Sequence, residues 1–546
     1  MKAITVLFGG NLGKEAFVPI ENEGKSSFCL ALERARLFPS VEKLVLLGLD
    51  GMDYPGIYPE SETFSLIRFK KWTRKQVLET ISRLQPGFDI AYFAWADCPF
   101  LDPGLAALLT DRHTRYAAEY SYADGYPYGF APELLSPGTA GILFNIDKDG
   151  EVPLTRDALF QVIQKDINAF DIETEISPVD LRQHRLRLAA DSKRNLQLIN
   201  RWLGASFELK GAELPDKIPR AEDAAALIEK GPGLLRTLPA FYNIQVCQDC
   251  PQNCTYCPWP QKLGMRNEER GTRYMEKEKF RSLLDKIIEF SSDAVISLSL
   301  WGELALHPEK IDLVKMVLDR PTLSLVIETS GIGWKLAELE QLAAAVKAAP
   351  ARNSSLLDSP LSWIVSLDAF DPNRYKEIRG PGFAEANECV KQLLALFPGN
   401  TYIQAVRVQG AEDDIEAFYR FWKDKAGQDQ VIVQKYDDFC GKLPKLQASD
   451  LSPVKRRPCW HIMRDVCIAL DGTVLQCRED LEGLVAPGAR PNAFSLSLEE
   501  IWGSVDIKSI NEMPVGIRFG ELYLKHAAGI YPGQCADCDE YYTYNF

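Results

Sequence analysis

The sequence lacks any apolar run long enough to cross a membrane. Its 546 residues contain no stretch of eighteen consecutive apolar residues, whereas a helix needs about 20 to span a bilayer. The first ten residues form a short apolar segment that ends in Gly9 and Gly10, without the longer apolar core and small-residue cleavage site of a secretory signal. We therefore expect a cytoplasmic protein that has no membrane partner.

The chain also lacks a long basic block. It carries 62 Lys and Arg residues against 76 Asp and Glu residues, which gives a net charge of −14 at pH 7. Proteins dedicated to nucleic acid present a basic patch or stripe, so we expect no nucleic-acid partner. The hydrophobic fraction of 46% and the charged fraction of 25% are ordinary values for globular domains.

Cysteine, by contrast, is plentiful. There are 13 Cys residues, and nine of them fall into two clusters, at residues 247–257 and 459–538. Thiols stay reduced in the cytosol, so the clusters indicate metal binding rather than disulfide bonds. The remaining four are predicted to be small buried residues rather than ligands; they are Cys29, Cys98, Cys389 and Cys440.

The first cluster has the spacing C-x3-C-x2-C, at Cys250, Cys254 and Cys257. Three thiolates can hold three irons of a [4Fe–4S] cluster, which leaves the fourth iron open as a binding position, as in a catalytic metal site. Two alternatives remain from these residues alone. One is zinc, although the paired thiols are closer together than in a usual zinc site. The other is a ferredoxin-type run, because Cys247 precedes the trio and Pro258 follows it.

Strands and helices alternate after residue 240. A predicted strand at 242–246 leads into the cysteines, and a helix is predicted over 277–291 from the spacing of its apolar residues. Three later apolar segments, 294–303, 324–331 and 363–369, each end in small polar or charged residues. This pattern is typical of a (β/α) barrel or partial barrel, in which the chemistry lies at the carboxyl ends of the strands.

With Tyr256 just before its last Cys, the trio resembles the cluster motif of the radical SAM superfamily. In that superfamily the open iron is chelated by the amino and carboxylate groups of S-adenosylmethionine (SAM). The strand ends resemble further motifs of the superfamily, although Trp301 stands where the family has its first glycine. The resemblance implies this set of SAM-binding residues: Tyr256, Gly302, Glu303, Thr329, Ser330, Ser366, Asp368, Arg379 and Arg407.

The second cluster surrounds a predicted hairpin with Asp-Gly at its tip. Cys459-x12-Gly472-x4-Cys477 resembles the start of the SPASM/twitch extension of radical SAM enzymes, and Cys535 and Cys538 supply a later C-x2-C pair. The resemblance implies one auxiliary [4Fe–4S] cluster on these four thiols. Cys467 is a fifth thiol that could replace one of them, and zinc is an alternative for a four-cysteine site.

The first 150 residues also alternate between strands and helices, which predicts a mostly parallel sheet. Gly9 and Gly10 follow the first strand, and Asp97 ends a later one. This arrangement resembles the GT-A-like nucleotidyltransferases, which implies a nucleotide and Mg²⁺ site. The basic residues that follow the glycines in that family are not in register here, Lys14 and Lys25 being the nearest. A degenerate substrate- or partner-binding domain is therefore favoured over a retained transferase.

The predicted fold class is α/β, in four segments. Residues 1–205 are predicted to form a nucleotidyltransferase-like domain with a helical extension, and 206–235 a linker. Residues 236–445 are predicted to form a radical SAM partial (β/α)6 barrel, and 446–546 a SPASM/twitch-like domain. This order resembles the spiro-SPASM group of radical SAM proteins.

The predicted function is reductive cleavage of SAM at the [4Fe–4S] cluster, giving a 5′-deoxyadenosyl radical that abstracts hydrogen from a substrate. The predicted partners are an electron donor such as flavodoxin or ferredoxin, and a peptide, protein or small-molecule substrate, with peptide or protein ranked first. Two alternatives remain: a nucleotidyl or glycosyl transferase with structural clusters, and a non-enzymatic iron–sulfur electron carrier or scaffold. No catalytic residue is predicted.

Overall fold

The structure is a computed structural model, and it describes residues 1–21, 23–148, 152–210, 219–258, 274–352, 354, 356–482, 490–503 and 519–543. The chain folds as two compact units, Met1–Leu235 and Arg236–Phe546. Part of the predicted linker, 211–218, lies outside the described residues, and the four predicted segments stay predictions. Among the described helices, none combines the length and the apolar character that a membrane crossing requires.

The first unit is built on a seven-stranded sheet. Its strand order is β3-β2-β1-β4-β6-β5-β7, and β6 runs antiparallel to β4 and β5 while the other pairs are parallel. The strands are β1 Ala3–Phe8, β2 Val41–Leu49, β3 Phe64–Phe69, β4 Ile90–Trp95, β5 Tyr120–Asp124, β6 Glu133–Leu135 and β7 Ile172–Ile176. Every residue of β1 and of β4 is buried, as expected for central parallel strands covered on both faces.

Among the described residues of this unit, seven α-helices accompany the sheet. They are α1 Ser27–Ala35, α2 Arg74–Leu84, α3 Pro103–Arg115, α4 Thr139–Ile146, α5 Ala158–Ile163, α6 Lys193–Lys210 and α7 Ala224–Lys230. Local sequence sets several of their starts. Thr73 and Gln76 form a reciprocal capping box before α2, and the Asp102 side chain accepts from the Gly104 N–H ahead of Pro103 in α3. Both devices satisfy backbone donors that a helix N-terminus leaves unpaired.

The second unit is built on an eight-stranded sheet of order β13-β12-β11-β10-β9-β8-β14-β15. Its strands are β8 Phe241–Ile244, β9 Ala294–Ser297, β10 Leu323–Thr329, β11 Leu361–Ser366, β12 Thr401–Arg407, β13 Val431–Lys435, β14 Asp465–Ile468 and β15 Val474–Leu475. Strands β8 to β13 are parallel neighbours in chain order. Strand β14 joins β8 in parallel, and β15 returns antiparallel to β14, which confirms the predicted hairpin.

Helices connect the parallel strands of this unit. They are α8 Lys277–Ser291, α9 Lys310–Leu318, α10 Leu336–Ala348, α11 Pro372–Arg379, α12 Phe383–Leu396, α13 Glu412–Ala426 and α14 Trp460–Arg464, followed by helices at Leu498–Trp502 and Phe519–Ala527. Helix α8 covers the predicted range and buries Phe280, Leu283, Leu284 and Ile287 along one face. Parallel strands joined by helices in both units confirm the predicted α/β class.

Candidate functional site

The predicted cluster cysteines lie in the loop that follows β8. Two backbone hydrogen bonds tie this loop to the end of α11: the Asn253 N–H donates to the Arg379 carbonyl at 3.1 Å, and the Thr255 N–H donates to the Ile378 carbonyl at 2.9 Å. Cys254 is buried. The loop is therefore held against a segment more than a hundred residues away in sequence, which also carries a predicted SAM-binding residue.

The thiols of this loop suit a metal cluster. Burial raises the pKa of Cys250 to about 12 and raises the pKa of Cys254, so their thiolates need a positive partner such as iron. Among the described residues, no three cysteine sulfurs lie within 4.8 Å of one another. The three thiols of the C-x3-C-x2-C loop supply the donor set of a [4Fe–4S] cluster with one open iron.

Cys247, the preceding thiol of the ferredoxin alternative, is engaged elsewhere. Its Sγ lies 3.7 Å from the Asp249 carbonyl oxygen, to which it donates, and its backbone forms a β-bridge with Tyr274. Burial raises the pKa of this thiol to about 11. The structure thus gives Cys247 hydrogen-bonding partners of its own, separate from the trio.

Three predicted SAM-binding residues form one hydrogen-bonded group. The Glu303 carboxylate accepts from the Thr329 hydroxyl at 2.7 Å, from the Ser330 hydroxyl at 2.7 Å and from the Ser330 N–H at 2.8 Å. Glu303 is buried, and this burial raises its pKa while the hydrogen bonds oppose the rise. All its described donors are neutral, so the group presents a net acidic, buried site at the ends of neighbouring strands.

Gly302 and Trp301 show why this strand end needs an unusual backbone. A Cβ on Gly302 would lie 1.9 Å from the Cys247 carbonyl oxygen, so only glycine allows this close approach. Trp301 has a φ of 48°, a left-handed conformation that glycine adopts more readily. Its carbonyl oxygen accepts from Gln245 at 2.8 Å, and its ring packs 5.4 Å from the ring of Phe439. The departure from the family motif is thus accommodated by packing.

A second group joins Tyr256, Asp368 and Arg379. The Tyr256 hydroxyl donates to the Asp368 carboxylate, and Arg379 donates to both, at 2.5 Å to the Tyr256 oxygen and 2.6 Å to Asp368. Asp368 has a φ of 62°. Gln252, which the sequence did not single out, accepts from Arg379 at 3.1 Å and donates to the Pro381 carbonyl at 2.8 Å. These bonds join the cysteine loop to the ends of β11 and α11.

The remaining predicted residues lie next to the second group, because the Val406 N–H donates to the Asp368 carboxylate at 2.7 Å and the Asp368 N–H donates to the Gln404 carbonyl at 3.2 Å. Ser366 donates to Glu328 at 3.3 Å, and Gln404 donates to the same carboxylate at 2.9 Å. Arg407 is the last residue of β12 and is half-buried. No carboxylate of the described residues forms an ion pair with Arg407. The structure therefore places Ser366 and Arg407 at the ends of β11 and β12, beside the group of Tyr256, Asp368 and Arg379.

The predicted auxiliary cysteines lie close enough together to influence one another. Cys459, Cys535 and Cys477 each have a raised pKa, caused first by burial, and in each case the Cys538 thiol raises it further. The Gln476 amide donates to the Cys535 sulfur at 3.1 Å, as cluster sulfurs commonly receive donors. The structure thus brings these four thiols to one place, although Cys477 and Cys535 are 58 positions apart.

Two other thiols lie in this part of the chain. Cys440, expected to be a buried non-ligand, is half-buried, and its pKa is raised chiefly by the Cys538 thiol. Cys467, expected as a possible substitute ligand, is buried in β14 and accepts from Asn243 at 3.7 Å. The proximity of Cys440 has no signal in the local sequence, because its partner is 98 positions away.

An acidic group lies beside Cys440. Ligand oxygens of Asp437, Asp438 and Asp539 are within 4.8 Å of one another. Cations already satisfy part of this group, since Arg478 lies 3.1 Å from Asp437 and Lys435 lies 2.8 Å from Asp539. We interpret the group as a structural ion-pair network.

In the first unit, Asp97 does not have the surroundings of a metal ligand. Arg156 donates to both its carboxylate oxygens, at 3.0 and 2.5 Å, and also lies 3.0 Å from Asp191. Mg²⁺ is normally bound by carboxylates that are open to it, so the arrangement does not support the predicted Mg²⁺. The glycine turn is similarly closed: Tyr54 donates to the Gly9 carbonyl at 2.8 Å, and a Cβ on Gly10 would lie 2.3 Å from Trp72.

The basic residues predicted near this turn do not reach it as ligands either. Lys14 begins a single turn of 3-10 helix at the surface. Lys25 pairs with Glu33 at 2.7 Å on an exposed face. The nucleotide site predicted for residues 1–150 therefore lacks a free carboxylate at Asp97, and its two nearest lysines lie on the surface.

Residues 244–421 match the family model described as the radical SAM superfamily, and the chain belongs to this superfamily. Membership indicates an enzyme that uses SAM and a [4Fe–4S] cluster and that needs a reductant and a substrate. A relative from Treponema pallidum (strain Nichols), described as an uncharacterized protein, is 38% identical over 395 residues, which cover 71% of this chain and 98% of the relative.

Two solved structures are more distantly similar. One is Streptococcus suis SuiB bound to the precursor peptide SuiA, at 15% identity and a TM-score of 0.38, covering 54% of this chain and 74% of SuiB. The other is a cytidylyltransferase from Leptospira borgpetersenii serovar Hardjo-bovis (strain JB197), at 15% identity and a TM-score of 0.32, covering 43% of this chain and 95% of that protein. At these TM-scores neither likeness decides a substrate.

Proposed function

We propose that the second unit cleaves SAM reductively at a [4Fe–4S] cluster held by Cys250, Cys254 and Cys257. A bound cluster would supply the electron that splits the sulfonium of SAM into methionine and a 5′-deoxyadenosyl radical, and this radical would abstract hydrogen from a substrate. The observation that carries the proposal is that the cysteine loop is hydrogen-bonded to both groups of predicted SAM-binding residues.

The first of these links runs through Glu303. Its backbone N–H donates to the Asp249 carbonyl at 2.8 Å, next to Cys250, while its carboxylate holds Thr329 and Ser330. A buried carboxylate whose hydrogen-bond donors are neutral strongly prefers a cationic ligand. A nearby positive charge favours the ionised form of the carboxylate, which burial disfavours. We propose that Glu303 binds the ammonium group of SAM.

The second link runs through Tyr256, which lies between Cys254 and Cys257 and donates to Asp368. We propose that Tyr256, Asp368 and Arg379 act as positioning residues. Their hydrogen bonds fix the position of the cysteine loop relative to the end of β11. A ligand bound by the loop is therefore also in the correct position to contact the strand end. Arg407, with no described carboxylate partner, is proposed to bind an anionic group of SAM.

We propose that Cys459, Cys477, Cys535 and Cys538 hold one auxiliary [4Fe–4S] cluster. Four thiols, two of them buried and two half-buried, supply the ligand number that such a cluster needs. The electron donor, such as flavodoxin or ferredoxin, and a peptide or protein as substrate remain predictions from the family resemblance.

The central test is anaerobic reconstitution of the full chain, followed by iron analysis and an assay for 5′-deoxyadenosine after addition of dithionite and SAM. We expect about eight irons per chain, as two [4Fe–4S] clusters require, and formation of the nucleoside. Cys254→Ala should abolish nucleoside formation and leave about four irons. Cys29→Ala, which changes a half-buried thiol of the first unit, is the matched control and should leave both measurements unchanged.

Two results would contradict the proposal. Nucleoside formation that persists in Cys254→Ala would exclude the assigned cluster loop. A fully loaded protein whose EPR spectrum does not change when SAM is added would instead favour the alternative of an iron–sulfur electron carrier or scaffold.

A further inference from the structure

Glu328 is the one exposed residue of β10, a strand whose other six residues are buried. Successive side chains of a strand point to opposite faces of the sheet. Leu325 and Ile327 therefore share one face, where they belong to the large core that the helices of this unit also form. Glu328 lies on the other face together with Val326. This second face carries an accessible carboxylate that the proposed function does not use.

An apolar layer covers the amino-terminal part of the face that carries Glu328. Six parallel strands, β8 to β13, each supply one side chain to this layer. Four of these side chains are buried and two are partly buried against them; in strand order they are Phe241, Val295, Val326, Ile364, Tyr402 and Ile432. The layer closes this face on the side away from the carboxyl ends of the strands.

Polar side chains follow the apolar layer along three of these strands. Glu328, Ser366 and Gln404 each come two positions after the apolar residue of their own strand, so they lie on the same face, nearer its carboxyl end. The Ser366 hydroxyl and the Gln404 amide both donate to the Glu328 carboxylate, at 3.3 and 2.9 Å. An apolar surface with a few converging polar groups is the usual composition of a ligand site.

The two carboxylate oxygens of Glu328 are used unequally. Both donors bind the same oxygen, Oε1, and within the described parts of the chain no group donates to Oε2. No described lysine or arginine forms an ion pair with Glu328 either. Ser366 and Gln404 therefore orient the carboxylate without cancelling its charge. The result is one charged acceptor atom, Oε2, at a fixed position above an apolar surface.

We propose that Glu328 binds a primary ammonium group of the substrate, such as the side chain of a lysine in a peptide. A guanidinium pairs with a carboxylate through two parallel bonds, one to each oxygen, and Oε1 is already occupied. An ammonium group is a compact point charge, for which Oε2 alone is a sufficient acceptor. The methylene stem of lysine suits the apolar layer. This inference rests on the proposed function, whose substrate class it specifies.

Glu328 is separate from Glu303, the carboxylate proposed to bind the ammonium group of SAM. Glu303 is buried and bonds to Thr329, the next residue after Glu328. The Thr329 hydroxyl also accepts from Trp334, at 3.1 Å, within the large core, so it points away from the face of Glu328. The end of β10 thus contacts the proposed SAM group on one side and carries the proposed substrate group on the other.

The test uses the full chain reconstituted anaerobically and loaded with SAM, without a reductant, so that SAM is not cleaved. Three pentapeptides with blocked termini are titrated calorimetrically; they carry lysine, norleucine or arginine between two glycines on each side. The lysine peptide should bind roughly 10- to 100-fold more tightly than the norleucine peptide, which has the same stem without the charge. It should also bind more tightly than the arginine peptide.

Glu328→Gln removes the charge and keeps the shape of the side chain. It should weaken binding of the lysine peptide roughly 10- to 100-fold and leave the norleucine peptide unchanged. Glu340→Gln, which changes an exposed carboxylate on α10, is the matched control and should bind all three peptides as the wild type does. In both variants the iron content and the EPR change of the reduced first cluster on SAM addition should equal those of the wild type.

The inference is overturned if the wild type does not prefer the lysine peptide to the norleucine peptide, a lack of binding by both included. It is also overturned if the arginine peptide binds as tightly as the lysine peptide, or if Glu328→Gln keeps the wild-type affinity for lysine. Loss of the EPR response to SAM in Glu328→Gln, at unchanged iron content, would place Glu328 in the SAM site instead. A wild type without that response would contradict the proposed function itself, so the wild-type spectrum distinguishes the two failures.

Discussion

Glu303 in the second unit and Asp97 in the first unit are both buried carboxylates that follow a strand of a largely parallel sheet. Ligands of such sheets bind at the carboxyl ends of the strands, so both positions are candidates for a charged ligand. They differ in their partners. Glu303 accepts from hydroxyl and backbone donors, whereas Asp97 accepts twice from a guanidinium.

The difference shows that the type of donor decides whether a buried carboxylate remains available. Neutral donors reduce the cost of burying the charge without cancelling it, so Glu303 can still attract a cation. A bidentate arginine supplies the opposite charge itself, so Asp97 is already neutralised. Acidic residues that follow strands of a sheet thus differ between the two units. The Glu303 carboxylate remains available to a cationic ligand (an open site), and the Asp97 carboxylate is already paired with an arginine (a closed site).

The largest expected effect follows from opening the closed site. Arg156→Ala removes the guanidinium from Asp97 and leaves a buried carboxylate without its partner, which costs about 3–5 kcal/mol. We expect the urea midpoint of the full chain, followed by circular dichroism, to fall accordingly. Arg115→Ala, which breaks an exposed pair with Asp111, is the control and should cost about 1 kcal/mol or less.

A different result would revise the comparison. If Arg156→Ala kept its stability and bound Mg²⁺, as measured by calorimetric titration, the closed site would be a masked metal site. The predicted Mg²⁺ would then apply to a state of the first unit in which Arg156 has moved.

A smaller effect is expected from removing the charge of the open site. Glu303→Gln keeps the shape of the side chain and replaces a charged acceptor by a neutral one, which weakens a hydrogen bond to an ammonium group by about 3 kcal/mol. We expect kcat/KM for SAM cleavage to fall roughly 100-fold, with the iron content unchanged. Asp97→Asn is the matched variant in the other unit and should leave SAM cleavage as in the wild type; equal losses in both would show that the two sites are coupled.

The smallest effect is expected at a positioning residue. Tyr256→Phe removes one hydrogen bond from the group with Asp368 and Arg379 but leaves their direct ion pair of 2.6 Å. We expect a cost of about 1–2 kcal/mol, seen as a higher KM for SAM at unchanged iron content. Tyr242→Phe, which removes a hydroxyl bonded to Ser291 in the core of the same unit, should alter stability and not this KM. If Tyr256→Phe instead altered stability and Tyr242→Phe altered the KM for SAM, Tyr256 would have a purely structural role.

Much of the fold could be predicted from the sequence, because strands and helices follow from local apolar periodicity. The helix predicted over 277–291 is α8, and the hairpin predicted around Gly472 is β14 and β15. The order of polar strand ends also predicts that Glu303 and Ser330 follow neighbouring strands, and the structure joins them by hydrogen bonds after β9 and β10. In each case the signal lies within a short stretch of sequence or in the chain order of parallel strands.

The partners of particular side chains could not be predicted in the same way. Arg156 meets Asp97 from 59 positions away, and Gln252 meets Arg379 from 127 positions away. No local pattern encodes these distances. Each pair depends on how loops of different elements converge at the edge of a sheet.

By itself, the sequence determined the α/β class, the spacing of the Cys250 trio and the family to which the chain belongs. The tertiary structure alone decided that Asp97 is neutralised by Arg156 while Glu303 is not neutralised by any described cation. The physical reason is that hydrophobic periodicity and motif spacing are properties of consecutive residues. Charge pairing and thiol proximity depend on distances of a few ångströms between residues that only folding brings together.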